Sequence, residues 1–273
     1  MPPSSFSLFF KGQNPCVMAI YSTAERHVHT MQILKEQGHT SVSKLSKELG
    51  VSEVTIRKDL RALEQRKLLV RTHGGAVLID HYMYDLPFDE KSQHHAEEKR
   101  RIGKAAAERI EDGDTLILNA GSTTVQVARH LRGKKNLTIT TNSLHVAVEL
   151  LSNLDVDLLM MGGVVHPTTA AIVGPFAEKM LRQHSFRKLF LGGDGFDVDY
   201  GLTTTNALEA HLDRTMIQSA QETIAVMDAS KFGRRGLSLI CGLADVDTVI
   251  TDNRVSDETV QRLKEHGIEV VVV

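Results

Sequence analysis

The stretch Gly50-Val51-Ser52-Glu53-Val54-Thr55-Ile56-Arg57-Lys58-Asp59-Leu60-Arg61-Ala62-Leu63-Glu64-Gln65-Arg66 decides how the front of the chain is read. Ser52 is a strong helix N-cap, because its hydroxyl can accept from a free amide of the first turn. Val51 before it and Ile56 at the fourth helical position fit a hydrophobic staple. Ile56, Leu60 and Leu63 recur at i, i+4 and i+7, which is one buried stripe. The other faces carry Glu53, Thr55, Arg57, Lys58 and Arg61. Upstream, Leu45 and Leu49 mark a short helix over 43–49 that stops at Gly50. Val28, Met31 and Leu34 mark a longer one over 24–37 that stops at Gly38. Downstream, Leu68-Leu69-Val70-Arg71-Thr72 and Ala76-Val77-Leu78-Ile79 flank a His73-Gly74-Gly75 turn, which predicts a small hairpin. Residues 22–79 therefore read as a winged helix-turn-helix.

A helix with a basic outer face, entered through a tight turn, suits the major groove of DNA. Ser52, Glu53, Thr55 and Arg57, near its start, are expected at base edges. Lys58 and Arg61 are expected on phosphates, and Arg71 and His73 at the wing tip on the backbone or minor groove. Patterning alone leaves a protein-interaction module open as well. Charge favours a polyanion: residues 22–80 carry three more Lys and Arg than Asp and Glu, whereas 81–273 carry six fewer.

Composition excludes several classes. The 273 residues are 41% hydrophobic and 24% charged, unlike a disordered, collagen-like or disulfide-stapled chain. No apolar run approaches the roughly 20 residues of a membrane helix. Cys16 and Cys241 are too few and too far apart for a disulfide framework, so free thiols and a cytoplasmic location are expected. Phe6, Leu8, Phe9 and Phe10 form a patch too short for a secretory signal, and Lys11 follows rather than precedes it. Residues 1–21 are expected to be a disordered extension, with Met18 an alternative start. Residues 80–90, which contain Pro87, read as a linker.

The rest alternates between strand and helix. Apolar runs at 115–119, 137–141, 157–161, 188–192, 223–228, 247–251 and 268–273 are separated by helical segments at about 95–110, 122–132, 143–152, 175–183, 206–221 and 256–266. That predicts a mainly parallel sheet covered by helices over 91–273. Ligands of such sheets bind beyond the carboxyl ends of the strands. Gly121, Ser122, Thr123 and Thr124 follow the first strand and open a helix, an arrangement suited to a phosphate or carboxylate. The same residues also fit plain helix capping. They match neither a Walker A loop nor a dinucleotide fingerprint.

Ser52 to Leu60, Leu63-Glu64 and Val70 to Ala76 resemble the N-terminal domain of DeoR/GlpR-type bacterial transcriptional regulators. Asn119 to Thr124, Thr140 to Ser143, Gly162-Gly163, Phe190 to Gly192, Asp194-Gly195, Glu209-Ala210, Met216-Ile217 and Asp228 to Phe232 resemble their C-terminal effector domain. The resemblance implies a fold like that of ribose-5-phosphate isomerases and coenzyme A transferases. It implies a phosphorylated sugar or related metabolite as effector, with phosphate on Gly121–Thr124 and the sugar lined by Asn142, Gly163, Asp194, Thr205, Glu209 and Lys231. It also implies a repressor of a carbohydrate catabolism operon, released from operator DNA by that effector and acting as a dimer or tetramer. Two positions depart from the family pattern: Thr30, where an aliphatic residue is usual, and Asn119, where Asp is usual.

Two other readings were open. Asp194, Asp197, Glu209 and Lys231 offer the acid and base of a sugar-phosphate isomerase-like enzyme, for which catalysis demands hydrogen-bond reach to the substrate. The pairs His27/His29 and His94-His95 lack the neighbouring ligands of a zinc site, so neither metal nor cofactor is expected.

Overall fold

The computed structural model describes residues 21–37, 39–66, 68–71, 74–78, 87–151 and 155–273. The chain divides into two compact units, Met1–His81 and Tyr82–Val273.

In the first unit, α1 (Thr23–Gln37), α2 (Val42–Leu49) and α3 (Glu53–Gln65) enclose a core of Leu34, Leu45, Leu49, Ile56, Leu60, Leu63 and Leu69. Burial of each such side chain contributes roughly 1.5–3 kcal/mol. Gly50 ends α2 in the left-handed region, at φ 64°, and Ser52 caps α3 by accepting from the Thr55 amide at 3.2 Å. The hairpin strands β2 (Leu69–Arg71) and β3 (Gly75–Leu78) gain an unanticipated third strand, β1 (His39–Ser41), giving the antiparallel order β1-β3-β2. Three polar residues carry no apolar alternation, so nothing in the sequence marked β1. Gly75 makes its pairing possible: a Cβ there would lie 2.0 Å from the Thr40 carbonyl oxygen. Thr30 is buried in α1 despite its hydroxyl. Asp59 is also buried. It accepts from Arg26 Nε at 2.7 Å and Nη2 at 3.1 Å, tying α3 to α1.

The second unit is a doubly wound sheet. Seven strands, β4 (Thr115–Leu118), β5 (Leu137–Thr141), β6 (Val156–Met160), β9 (Phe186–Leu191), β12 (Ala220–Val226), β14 (Thr248–Thr251) and β15 (Glu269–Val272), run parallel in the order β15-β14-β12-β9-β4-β5-β6. Alternate side chains enter two cores. Leu116 and Leu118 pack with α5 (Ala96–Glu108), α6 (Ser122–Arg129) and α7 (Leu144–Leu150). Ile117 packs with α8 (Pro175–Leu181), α9 (Ala207–Gln218) and α10 (Asp257–Glu265) on the opposite face. The strand order reverses between β4 and β9, so their carboxyl ends open a crevice. Short extra strands edge the sheet: β7 (Val164–His166) with β8 (Ala171–Val173), and β10 (Gly195–Asp197), β11 (Gly201–Thr204) and β13 (Ser238–Cys241).

The connector reading of 80–90 requires correction at its end. Residues 80–86 lie outside the described residues, as do Cys16 and Met18. Pro87 caps α4 (Phe88–Gln93), which Asp89 and Glu90 open. Acidic residues favour a helix start through the unpaired amides and dipole there, a local signal that Pro87 masked. Cys241 is a buried free thiol, pushed up to about 12 by burial. Among the described residues, no helix is long and apolar enough to cross a membrane.

Asp59→Ala leaves the Arg26 guanidinium, 11% exposed, without its carboxylate. We expect a loss of about 3–5 kcal/mol in the stability of the first unit, read by urea denaturation of the full chain. A loss under about 1 kcal/mol contradicts an anchoring role for Asp59.

Candidate functional site

The first unit presents α3 with a cationic outer face. Arg57, Lys58 and Arg61 are exposed. Arg57 bonds Glu53 at 2.6 Å, an exposed pair of little stability that leaves the guanidinium able to exchange onto another anion. The Ser52 and Thr55 hydroxyls lie 3.0 Å apart, and Ser52 also serves as the cap, so their first role is to build the helix start. Arg71 is held by Glu64, through its amide at 3.1 Å and Nε at 2.7 Å, and this keeps the Glu64 carboxyl below its usual range. His73 lies outside the described residues. Sequence reasoning passed over Val54, which lies beside these residues and is 73% exposed. Its signal was an apolar residue off the buried stripe, of the kind that contacts thymine methyl groups.

The second unit holds a cavity at the β4–β9 crevice. Its wall includes Gly121, Ser122, Thr123, Asp194, Glu209 and Lys231, six of the ten effector positions expected from sequence. The other four are not in the wall, for identifiable reasons. The Thr124 hydroxyl donates to the carbonyl oxygens of Asn119 and Gly121, at 2.7 and 2.9 Å, and so shapes the loop. Asn142 donates to the Ile172 carbonyl at 3.2 Å, tying β5 to β8. Gly163 has φ 153°, and a Cβ there would lie 2.4 Å from the Val173 carbonyl oxygen, so packing of the β7–β8 hairpin demands glycine. Thr205 supports Asp194 instead, donating from its amide at 3.1 Å and its hydroxyl at 3.2 Å.

One part of the wall is built on the start of α6. The first intrahelical bond runs from Val125 N–H to Gly121 O, so the amides of Ser122, Thr123 and Thr124 precede the ladder. Three lysines join this wall, of which sequence reasoning found only Lys231. A turn over Ala229–Lys231, capped by Asp228, delivers Lys231, whose ammonium is pulled down by burial against the opposing pull of Asp194 and Asp228. Lys91, on α4, bonds Asp194 at 2.9 Å. Lys99, on α5 and 3% exposed, donates to the Lys91 carbonyl and is lowered to about 8, by burial first and then by Lys231 and Lys91. Burial alone would raise Asp194, but Lys91, Lys231 and the Thr205 amide hold it below its usual range. Lys91 and Lys99 escaped notice because they sit on helices far from any strand end in sequence. Phe88 completes this part of the wall and stacks on His145, with centroids 3.6 Å apart.

The wall also carries acids and hydroxyls. Thr169 donates to Glu209 at 2.7 Å, and Asn206 caps α9 at Leu208 and Glu209. Asp213 follows one turn later, in the wall but unforeseen. Asn119 accepts from the Gly192 amide at 2.9 Å and donates to the Gly192 carbonyl at 3.1 Å and to Asp213 at 3.3 Å. Asp197, the remaining acid of the isomerase reading, is absent from the wall and pairs with Arg235 at 2.8 Å. No cluster of three metal-ligating side chains occurs among the described residues. His95 accepts from Arg254 at 2.8 Å, and His27 lies 3.5 Å from Asp59.

Residues 26–82 match the DeoR-like helix-turn-helix domain, and residues 94–253 the DeoR C terminal sensor domain. A protein of Escherichia coli O157:H7, provisionally named an aga operon transcriptional repressor, is 37% identical over 93% of this chain and 95% of its own. The HTH-type transcriptional regulator GlpR of Haloferax volcanii is 36% identical over 91% and 97%. The glycerol-3-phosphate regulon repressor of Escherichia coli K12 is 32% identical over 90% and 97%. Among solved structures, ribose 5-phosphate isomerase A of Methanocaldococcus jannaschii aligns over 50% of this chain and 55% of its own, at 16% identity and a TM-score of 0.39, which carries no argument about chemistry. The chain is a transcriptional regulator rather than an enzyme, and it belongs to the DeoR family.

Proposed function

We propose that this regulator represses a carbohydrate catabolism operon and leaves its operator when a phosphorylated sugar, or a related phosphorylated metabolite, fills the β4–β9 cavity. The observation that carries this reading is the convergence of the α6 N-terminus with Lys91, Lys99 and Lys231 on one cavity that Thr169, Asp194, Glu209 and Asp213 also line. Unpaired helix amides and ammonium groups suit a phosphate. Carboxylates and hydroxyls suit the polyol attached to it.

The same reading gives α3 to the major groove. Ser52, Glu53, Thr55 and Arg57 read base edges, Lys58 and Arg61 contact phosphates, and Arg71 and His73 on the wing reach the backbone. A homo-oligomer in the cytoplasm would set two such helices roughly 34 Å apart on a two-fold operator. Lysine and arginine contacts supply much of the affinity, which therefore falls steeply with salt.

Release needs a ligand that prefers the DNA-incompetent arrangement, by about 5 kcal/mol for a full swing in occupancy. Lys91 offers a lever. It lies on α4, directly after the linker, and its ammonium is shared with Asp194. A bound phosphate competes for that ammonium and so acts on the helix that leads back toward the DNA-binding unit.

Three outcomes test this reading. Arg57→Ala weakens operator binding about 10- to 100-fold in a gel-shift titration and leaves sugar-phosphate binding intact. Lys231→Ala does the reverse, and a normal effector response in that variant would misplace the site. In calorimetric titration, the sugar phosphate that binds tightest loses up to about tenfold in affinity between pH 7 and pH 9, as Lys99 sheds its charge around 8. Lys99→Met removes this dependence.

A further inference from the structure

We propose that Asp213 is a specificity-determining residue of the cavity, hydrogen-bonding a hydroxyl of the bound ligand while Asn119 holds its other carboxyl oxygen. The inference rests on the reading of the cavity as a site for a phosphorylated polyol, and extends it to which end of that ligand is selected.

The geometry leaves one orientation for Asn119. Its Oδ1 accepts from the Gly192 amide at 2.9 Å, so the side-chain amide cannot be turned round. Its Nδ2 donates to the Gly192 carbonyl at 3.1 Å, and the remaining hydrogen goes to Asp213 Oδ1 at 3.3 Å. One oxygen of Asp213 is therefore an acceptor already in use. The other lies in a carboxyl that is 5% exposed and forms part of the cavity wall.

The groups around Asp213 disfavour a second negative charge there. Glu209 precedes it by one turn on α9, and Asp194 faces it from the end of β9. Arg214 opposes them as the last and weakest contributor, and the Cys241 thiol on β13 stays protonated. Lys91 and Lys231 act on Asp194, and Lys99 donates to the Lys91 carbonyl. Burial, followed by Glu209, raises the Asp213 carboxyl well above its ordinary range. Its second oxygen can bond a ligand hydroxyl in either state, donating when protonated and accepting when ionised. A polar group in a cavity wall that loses solvent without gaining a partner is costly, and a ligand hydroxyl supplies that partner. Bare phosphate, held at the lysine wall, gains nothing from it. A site built to bond a hydroxyl discriminates strongly against a ligand lacking one.

The test uses the full chain in calorimetric titrations with ribose 5-phosphate, glucose 6-phosphate, glycerol 3-phosphate and inorganic phosphate. The quantity read is the preference for the best sugar phosphate over inorganic phosphate. Asp213→Ala is expected to reduce that preference about 10- to 100-fold, with inorganic phosphate affinity within twofold of the parent. Asp213→Asn has the same shape and a donor N–H, and is expected to keep the preference within about threefold. An unchanged preference in Asp213→Ala overturns the proposal and leaves the cavity reading standing. Equal losses in both variants overturn it too, and a loss of preference beyond about threefold in Asp213→Asn overturns it even if Asp213→Ala fails to fold. A parent chain that binds no sugar phosphate better than inorganic phosphate overturns the cavity reading, and this inference with it.

Discussion

The Asn119 side-chain amide spans the crevice between β4 and β9, gripping both the N–H and the C=O of Gly192. Two parallel strands that part company at their carboxyl ends leave main-chain groups facing a gap, and a buried polar group there must find a partner. Asn119 supplies one from each end of its amide. With the two loops fixed, the Thr124 hydroxyl folds the 119–124 segment into the start of α6. The same clasp sets the Gly192-Gly193-Asp194 turn, where Asp194 gathers Lys91, Thr204 and Thr205. The 119–124 loop, the Gly192 turn and Asp213 are thus referenced to one residue at the reversal of strand order.

The cavity also illustrates a balance of charge at close range. Three ammonium groups in a buried space would repel one another, and their proximity is tolerable because Asp194 and Asp228 are interleaved with them. An anion entering such a space would compete for the lysines with the protein's own carboxylates. Helix α3 uses a looser version of the same device. Glu53 and Glu64 pair with Arg57 and Arg71 at the surface, where such bonds exchange readily.

Much of this architecture was legible in residue patterning. The Ile56-Leu60-Leu63 stripe and the Ser52 cap sit where 3.6-residue periodicity and a free first-turn amide require them. The seven strands of the main sheet read as apolar runs because both faces of the sheet are covered. What escaped has a common physical cause. The strands β1, β7, β8, β10, β11 and β13 are short and lie outside the main sheet, so no recurring strand–helix alternation marks them, and they are held by their pairing partners. Thr124, Asn142, Gly163 and Thr205 look like ligand residues because a loop that cradles a ligand and a loop that must satisfy its own backbone use the same small polar side chains. Lys91, Lys99 and Asp213 reach the cavity from helix faces, and only the tertiary fold decides which face turns inward. Nothing in the pattern singles out Asp59, because its role as an anchor for Arg26 comes from packing against α1.

The first unit fills its interior with its own side chains, from Tyr21 to Ala76, and the two cores of the sheet draw only on residues from Phe88 onward. Among the described residues, each of these cores is composed of side chains from one unit. Gene fusion or recombination near residue 80 can therefore graft a different reading head onto the same chemical detector, reassigning which promoter answers to a metabolite without disturbing how that metabolite is recognised.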